Sequence, residues 1–367
     1  LEILTPEQYG EYEAFLQSKL TGSYLQSPGW ARVKRWDDYR VVVSRGADGV
    51  IKGSLAVLVR RVPILKYAML YAPRGPVCDP DDKETLQDLL EGAKVLAKRC
   101  KAYMLKADPG IDRRETDFIE SAKALGFHHT PSGGDFSGSV QPSVVYILPI
   151  QGMDEEKLMA FFPTKTRYKV RYAINKGVTV KREGREGLEK FYALMQETGE
   201  RDGFQIRPLS YFQRMFDELG EHLHLYLAYY EDEPLAGGLL ITYGRRTIHQ
   251  YGASSNQQRN LRPNYAMQWA MMCDAMAQGS ELYDFGGIAA VDDENNPLHG
   301  LYMFKRSFRG EVVTYVGDLE YVFKPLIYNG MRFAMGLRTK LKGGKKQRAE
   351  WNIDHKKVTP AEETEDQ

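Results

Sequence analysis

Between Tyr39 and Arg60 the chain reads YRVVVSRGADGVIKGSLAVLVR. A period-2 run from Tyr39 to Ser44 meets a turn at Ala47-Asp48-Gly49, and a second run follows from Gly53 to Arg60, which is the pattern of a β-hairpin. A further strand is expected around Lys66 to Tyr71. From Lys83 to Arg99 apolar residues recur at helical spacing (Leu86, Leu89, Leu90, Ala93, Leu96, Ala97), and a strand from Ala102 to Lys106 closes the unit.

The same order of elements returns farther along. His224 to Tyr230 reads as a strand, Glu231-Asp232-Glu233-Pro234 as a turn, Ala236 to Tyr243 and Thr247 to Ser254 as two more strands, Asn264 to Gln278 as a helix and Leu282 to Phe285 as a strand. Two copies of one α/β unit explain the pattern economically. Between them Pro131 to Pro142 is rich in Gly, Ser and Pro, and a strand-like Ser143 to Leu148 follows, so the boundary is placed there.

Units built as hairpin, strand, helix and strand are how acetyltransferase-type folds read. The expected fold class is therefore α/β (α+β), with two acetyltransferase-like (GNAT-like) subdomains, each a mixed sheet flanked by helices. Folds of that type hold the pyrophosphate of coenzyme A on a glycine-rich loop leading into the helix. Here the corresponding segments are Pro73-Arg74-Gly75-Pro76 and Asn256 to Pro263, and neither offers successive glycine amides. The fold can be shared without the coenzyme A site.

Length agrees with a duplicated unit, since 367 residues at about 150 per domain give two or three domains. Hydrophobic residues at 43% and charged residues at 27% describe a globular chain. No run approaches the ~18 apolar residues of a spanning helix, and Leu1 to Gly10 lacks the layout of a secretory signal, so a cytoplasmic protein is expected. Cys78, Cys100 and Cys273 form no CxxC pair, and the seven histidines show no metal-ligand spacing, so neither a disulfide framework nor a metal is expected. Fifty Lys and Arg against forty-nine Asp and Glu leave no global field, and any polyanion must be met by a local patch.

One such patch is the run Lys165, Arg167, Lys169, Arg171, Lys176, Lys181, Arg182 with Tyr168 and Tyr172 interleaved, which suits tRNA phosphates and terminal bases or, equally, a solvated helix face. Another is the segment from Pro325 to Leu341, an amphipathic helix with Arg332, Arg338 and Lys340 that continues into Lys342, Lys345, Lys346 and Arg348. It could lie on an anionic membrane surface or dock on its own domain. The acidic end beyond Thr359 is expected to be disordered.

Several segments together resemble the Fem family (FemABX) of aminoacyltransferases, which build the interpeptide bridge of peptidoglycan. They are Leu25-Gln26-Ser27-Pro28-Gly29-Trp30 through Lys34, Tyr71-Ala72-Pro73-Arg74-Gly75-Pro76-Val77, Lys165 to Ala173 with Lys176-Gly177-Val178, Arg201-Asp202-Gly203-Phe204, Tyr283-Asp284-Phe285-Gly286-Gly287, and Gly300-Leu301-Tyr302-Met303-Phe304-Lys305 through Phe308, Gly310 and Gly317. The resemblance implies a first subdomain over 1–142 completed by 317–341, a second over 143–316, and a basic then acidic tail over 342–367. It implies transfer of an amino acid from aminoacyl-tRNA to the side-chain amine of the third stem-peptide residue in a UDP-MurNAc-pentapeptide or lipid-linked precursor, by a monomer, with no cofactor.

Such chemistry starts from an activated ester, so the enzyme must hold two large anionic substrates, align an amine with a carbonyl and stabilise the developing oxyanion. By the resemblance Lys305 stabilises the tetrahedral intermediate and Phe304 shapes the pocket. Lys34, and the pair Arg207 and Tyr211, bind the diphosphate and nucleotide of the acceptor, with Tyr251 a further substrate contact. Asp108 lies near the bound peptide, just past a strand, where it could orient the amine or take its proton or simply form a turn before Pro109; Tyr103 on that strand is a further substrate-binding candidate. Relatives with a long helical hairpin differ from this chain, which has no heptad-rich insertion from Gly177 to Tyr211 and resembles the armless type. Two other readings keep the residues but change the chemistry: an N-acyltransferase with another acyl donor, and a non-catalytic binder of precursors or tRNA.

Overall fold

A computed structural model describes residues 1–62, 65–133, 140–289 and 293–341, the last seven of these as backbone only. The expected acidic and basic tail lies outside the described residues. The first part contains β1 (Glu2–Ile3), α1 (Tyr9–Ser18), α2 (Pro28–Lys34), β2 (Asp38–Arg45), β3 (Ile51–Arg61), β4 (Ala68–Arg74), α3 (Lys83–Cys100), β5 (Ala102–Pro109), α4 (Thr116–Ala124) and β6 (His128–Thr130). It continues through β7 (Val144–Pro149), α5 (Glu155–Phe161), α6 (Thr164–Asn175), β8 (Thr179–Glu183), α7 (Leu188–Asp202), α8 (Leu209–Leu219) and β9 (Leu223–Tyr230). The remainder is β10 (Glu233–Tyr243), β11 (Arg246–Ser254), α9 (Pro263–Ala277), β12 (Leu282–Gly287), α10 (His299–Arg306), β13 (Glu311–Thr314), β14 (Asp318–Val322) and α11 (Pro325–Leu341).

The hairpin read at Tyr39 to Arg60 is β2–β3, closed where the Gly46 amide donates to the Val50 carbonyl at 2.9 Å. Its counterpart β9–β10 turns through Glu231 and Asp232, both at positive φ, the geometry that matches the twist of paired strands. Two seven-stranded sheets result, ordered β1-β2-β3-β4-β5-β14-β6 and β13-β7-β12-β11-β10-β9-β8. In each, a hairpin leads to a strand whose next neighbour is parallel, β4 with β5 and β11 with β12, joined by the crossover helices α3 and α9. The fold class is thus the mixed α/β architecture expected from the sequence.

Period-2 alternation explains the layering. In the first sheet Val42, Leu55, Val57, Leu70 and Ala72 face α3 and α4, while Val41, Val43, Ala56, Leu58, Met69 and Tyr71 face the opposite way. In the second, Tyr226, Ala228 and Leu240 face α6 and α9, while Leu225, Leu227, Leu239 and Ile241 join α7 and α8. The inner faces belong to one continuous core that also holds Tyr24, Trp30, Phe191 and Phe212, so the two units are welded rather than strung together. On the outer side α3 lies so close to β2 that a Cβ on Gly92 would meet Val42 at 2.2 Å.

One expectation changes here. β5 runs through Pro109 with all eight residues buried, so Asp108 is inside a strand rather than just past it, and the turn reading falls. A strand covered on both faces shows no alternation, which is why its end was hidden in the sequence.

Candidate active site

The acceptor candidates gather where α2 meets α8. Ser27 caps α2 by accepting from the Trp30 amide at 3.1 Å, Pro28 opens the first turn, and Arg35 ends the helix at φ +51°. This short helix stands Trp30 edge-on to Tyr24, centroids 5.2 Å apart, and brings the Lys34 ammonium to 5.9 Å from the Trp30 ring. It is tied to α8 by Arg32 with Glu218 at 2.7 Å and by the Arg214 Nε–H donating to the Val33 carbonyl at 2.8 Å. Arg207, just before α8, lies 5.2 Å over the Tyr211 ring, and Arg214 covers the same ring from 5.7 Å. Tyr211 and Tyr251 are in hydrogen-bond contact, and burial pushes both phenols up, so they stay neutral donors. Lys34, Arg207, Tyr211 and Tyr251 are therefore brought together; Arg214 joins them, a residue the sequence reading missed because nothing in FQRMF marks which face of α8 is covered.

A narrow channel of about 120 Å³ lies between the sheets. Tyr24 stands at its side and donates to Gln250 Oε1 at 2.7 Å. The channel is also lined by Arg74, Arg246, His249, Asp284, Gly286 and Gly287. Lys305 lies directly behind the Gly286–Gly287 part of this lining. Its Nζ donates to the Gly287 carbonyl at 2.7 Å, and only 7% of the residue is exposed. Burial lowers its pKa to about 8 against the opposing charge of Asp284. Lys305 is on α10, with Tyr302 in the core one turn before it. Phe304 points to the other side, edge-on to Tyr265 at 5.1 Å and Phe308 at 5.4 Å.

Asp108 lies 3% exposed beneath Arg74 and does not line the channel. Oδ1 accepts from the Arg74 amide at 2.7 Å and Oδ2 from the Tyr71 hydroxyl at 2.6 Å. Burial raises its pKa to about 6, opposed by Arg74. The amide bond holds Arg74 at φ +57°, a conformation a residue with a Cβ disfavours. The guanidinium then lies 4.6 Å over Tyr315, whose hydroxyl accepts from Arg246 at 2.9 Å, and Arg246 stands 3.7 Å from Asp284. A chain of hydrogen-bond, cation–π and charge contacts thus joins the two sheets from Asp108 to Asp284. No local motif announces it, because its members come from five separate segments.

The basic run on α6 divides. Lys165, Tyr168, Lys169 and Tyr172 share a hollow of about 640 Å³ with Asn260 and Arg262. Lys169 Nζ donates to the Tyr265 hydroxyl at 3.0 Å, and Tyr265, Phe304, Arg259 and Arg262 line an adjoining hollow, so this face reaches Phe304, the neighbour of Lys305 in sequence. Arg167 instead donates to the carbonyls of Ala160 at 3.1 Å and Phe162 at 2.9 Å, and the exposed Arg171 lines neither hollow. Arg259 and Arg262, read in the sequence only as a loop short of glycines, supply charge there. Tyr103 is elsewhere: it lines a separate hollow of about 760 Å³ with Lys106, Glu320, Tyr328 and Arg332 that shares no residue with the channel. Among the described residues no cluster of His, Cys, Asp and Glu could hold a metal ion.

Comparison with known proteins agrees with this fold. The FemAB family matches residues 5–233 and 229–335. A lipid II:glycine glycyltransferase of Staphylococcus aureus (strain MRSA252) is 33% identical over 391 residues, covering 87% of this chain and 92% of the relative. That alignment is longer than the 367-residue chain, so the relative carries segments with no counterpart here. A crystal structure of FemX superposes with a TM-score of 0.83 at 30% identity, over 90% of this chain and 99% of the other. L-PGS from Bacillus licheniformis shares the fold at 14% identity and a TM-score of 0.52, over 94% of this chain and 98% of the other. With a family match across both sheets, the chain belongs to the FemAB family.

Proposed function

We propose that this aminoacyltransferase moves an amino acid from aminoacyl-tRNA to the side-chain amine of the third stem-peptide residue of a peptidoglycan precursor, in the cytoplasm. The observation that carries this reading is the buried Lys305 ammonium, held on the Gly287 carbonyl beside a channel lined by Arg74, Arg246 and Asp284, in a molecule that also gathers arginine, lysine and tyrosine where α2 meets α8. Lys34, Arg207, Tyr211 and Tyr251 bind the diphosphate and nucleotide of the acceptor. Its peptide follows the channel past Tyr24 and Arg74, and Asp108 acts on it through Arg74. The donor's 3′ end lies along Lys165, Lys169, Arg259 and Arg262, with Phe304 and Tyr265 behind the ester.

The uncharged amine attacks the ester carbonyl, a C–N bond forms, the C–O bond to the ribose breaks, and the amine's proton ends on the ribose hydroxyl. Negative charge passing through the carbonyl oxygen is met by Lys305, in a site where water is scarce and the charge counts for more. The division into subdomains at 142/143, with the chain returning to the first at 317, is proposed with this reading.

Incubating the protein with a mixed pool of charged tRNA and a UDP-linked pentapeptide, against a parallel arm with acetyl-coenzyme A, tests the function. A product heavier by one aminoacyl residue supports it; acetylation alone, or no product, contradicts it. Within that assay Arg207→Met is expected to raise the acceptor KM by roughly ten- to a hundredfold, the worth of one charge-assisted hydrogen bond, with kcat nearly unchanged. An acceptor lacking the diphosphate should show no such difference between the two proteins.

A lipid-linked acceptor would bring the protein to a membrane surface, and α11 suits that contact. Ile327, Tyr328 and Met331 pack on the core, while Leu326 and Phe333, seven residues apart, are 88% and 71% exposed. Among the described residues no helix is long and apolar enough to cross a membrane. Sedimentation with anionic vesicles is expected for the full chain and should be lost with Leu326→Glu plus Phe333→Glu; equal sedimentation of both proteins would remove this contact from the account.

A further inference from the structure

Asp284 stands in the motif Tyr283-Asp284-Phe285-Gly286-Gly287, to which the transfer chemistry so far gives no part. The parallel pairing of β11 and β12 runs Arg246 with Leu282, Thr247 with Tyr283 and Ile248 with Asp284, and goes no further. On its other side β12 keeps its pairing with β7 through a register shift between Asp284 and Gly287. Asp284 therefore marks the point at which two neighbouring strands part, and there Asp284, Gly286 and Gly287 line the channel. Gly286 turns there at φ +78°, and a Cβ on it would come within 3.9 Å of Lys305 Nζ. The next residue, Gly287, supplies the carbonyl that Lys305 bonds.

The Asp284 carboxylate is 4% exposed. Oδ1 accepts from the Gly286 amide at 2.7 Å, which fixes the carboxylate to the same turn that aims Lys305. Oδ2 faces Arg246 at 3.7 Å, too long for a hydrogen bond, while Arg246 is already held by Tyr315. A buried anion held by a neutral hydrogen bond is expensive unless cations stand near it, and among the described residues Arg246 and Lys305 supply that charge.

Among the described residues, the other groups around Lys305 offer it no negative charge. β11 brings His249, whose Nδ1 accepts from Gln268 Nε2 at 3.0 Å, because Gln268 Oε1 already accepts from the Tyr283 hydroxyl at 2.8 Å. Burial, with the Lys305 charge beside it, lowers the His249 pKa to about 3, so the imidazole is neutral. β11 adds Arg246 beyond Asp284, α10 itself carries Arg306, and α9 places Tyr265 against Phe304.

We propose that Asp284 is a positioning residue for Lys305: its carboxylate, pinned by the Gly286 amide where β11 and β12 separate, is the fixed negative charge that keeps the Lys305 ammonium protonated and held at the Gly286–Gly287 turn. The inference rests on the aminoacyl-transfer reading and deepens it, by assigning which group maintains the charge that meets the oxyanion.

The test compares the full chain with Asp284→Asn, which keeps an oxygen for the Gly286 amide and removes only the charge, and with Asp284→Glu. Single-turnover transfer is followed from pH 6 to 9, corrected for spontaneous ester hydrolysis, together with thermal midpoint and acceptor Kd. A lysine-type acceptor amine titrates near about 10.4 in water. The logarithm of the rate should therefore climb with pH while Lys305 stays charged, and flatten once that lysine begins to lose its proton, at about 8.

For Asp284→Asn the flattening is expected roughly one pH unit or more lower, as for loss of a nearby opposite charge, with near-normal rates at pH 6 and about tenfold slower transfer at pH 8. Asp284→Glu should restore most of the shift. A break at the wild-type pH, or a uniform slowing at every pH with a lowered thermal midpoint, overturns the proposal. Should Asp284→Asn not fold, Asp284→Ser repeats the comparison, and failure of both to fold overturns it in favour of a purely structural role. Absence of product from the unaltered chain at any pH would defeat the transfer reading itself, whereas product with an unmoved break defeats only this inference.

Discussion

Lys305→Met is expected to lower kcat and kcat/KM together by roughly a hundred- to a thousandfold, the loss that follows removal of one oxyanion donor, while the acceptor Kd moves by less than about twofold. The contrast follows from position. The groups proposed to hold the acceptor lie around α2, α8 and Tyr251, whereas Lys305 is on α10 with its Nζ on the Gly287 carbonyl. Methionine has nearly the same length and is apolar, so burial that now opposes the ammonium would cost the variant nothing. The Gly287 carbonyl would lose its donor, a penalty of about 1–3 kcal/mol that falls on stability and not on the chemical step. Steady-state kinetics beside calorimetric acceptor binding separates these quantities. Equal losses in turnover and binding would assign Lys305 to substrate holding instead.

Phe212→Ala should be the most damaging single change in the core between the sheets. Phe212 is 0% exposed and meets Phe191, Tyr211 and Tyr251 edge-on, with centroids 5.5, 5.9 and 5.2 Å away. Truncating a buried phenylalanine costs about 3–5 kcal/mol, and the lost ring contacts place this site toward the upper end. Against a total stability of about 5–15 kcal/mol that is a large share. The acceptor side should suffer as well, because Tyr211 and Tyr251 both lean on this ring. Phe118→Ala provides the comparison: it is as deeply buried, at 1%, but behind the first sheet with α3 and α4. Chemical denaturation should show a similar fall in stability for both, and an acceptor KM raised only in Phe212→Ala. A raised KM in both would mean that general loosening, not support of the tyrosines, is responsible.

The parts of the fold that were legible are those where one physical pattern acted alone. Hairpins β2–β3 and β9–β10 announced themselves because apolar, β-branched and aromatic runs flank a short turn with small or acidic residues. The α3 stripe of Leu86, Leu89, Leu90, Ala93, Leu96 and Ala97 is buried as its spacing requires. The end of β5 was not legible, since burial on both faces erases alternation and Asp-Pro reads as a turn. In the site, the Arg207 and Tyr211 pair was visible as a four-residue spacing, and Phe304-Lys305 as a motif. What the sequence could not supply was the order in which separate strands bring charges together. Arg246 follows a Gly-Arg turn and looks like an exposed hairpin charge, yet parallel pairing with β12 sets its side chain, only 16% exposed, against Asp284. Tyr103 shows the reverse case: it shares a strand with Asp108 but opens on the hollow beside α11.

The account turns on whether Lys305 stabilises the reaction's oxyanion. Affinity for a stable tetrahedral phosphonate that joins an aminoacyl-adenosine analogue to the acceptor amine chain measures that interaction without any turnover. Lys305→Met should weaken binding of this compound by the same factor by which it lowers kcat/KM, and leave binding of the planar amide product nearly unchanged. Undiminished affinity of the variant for the tetrahedral compound would contradict the role assigned to Lys305.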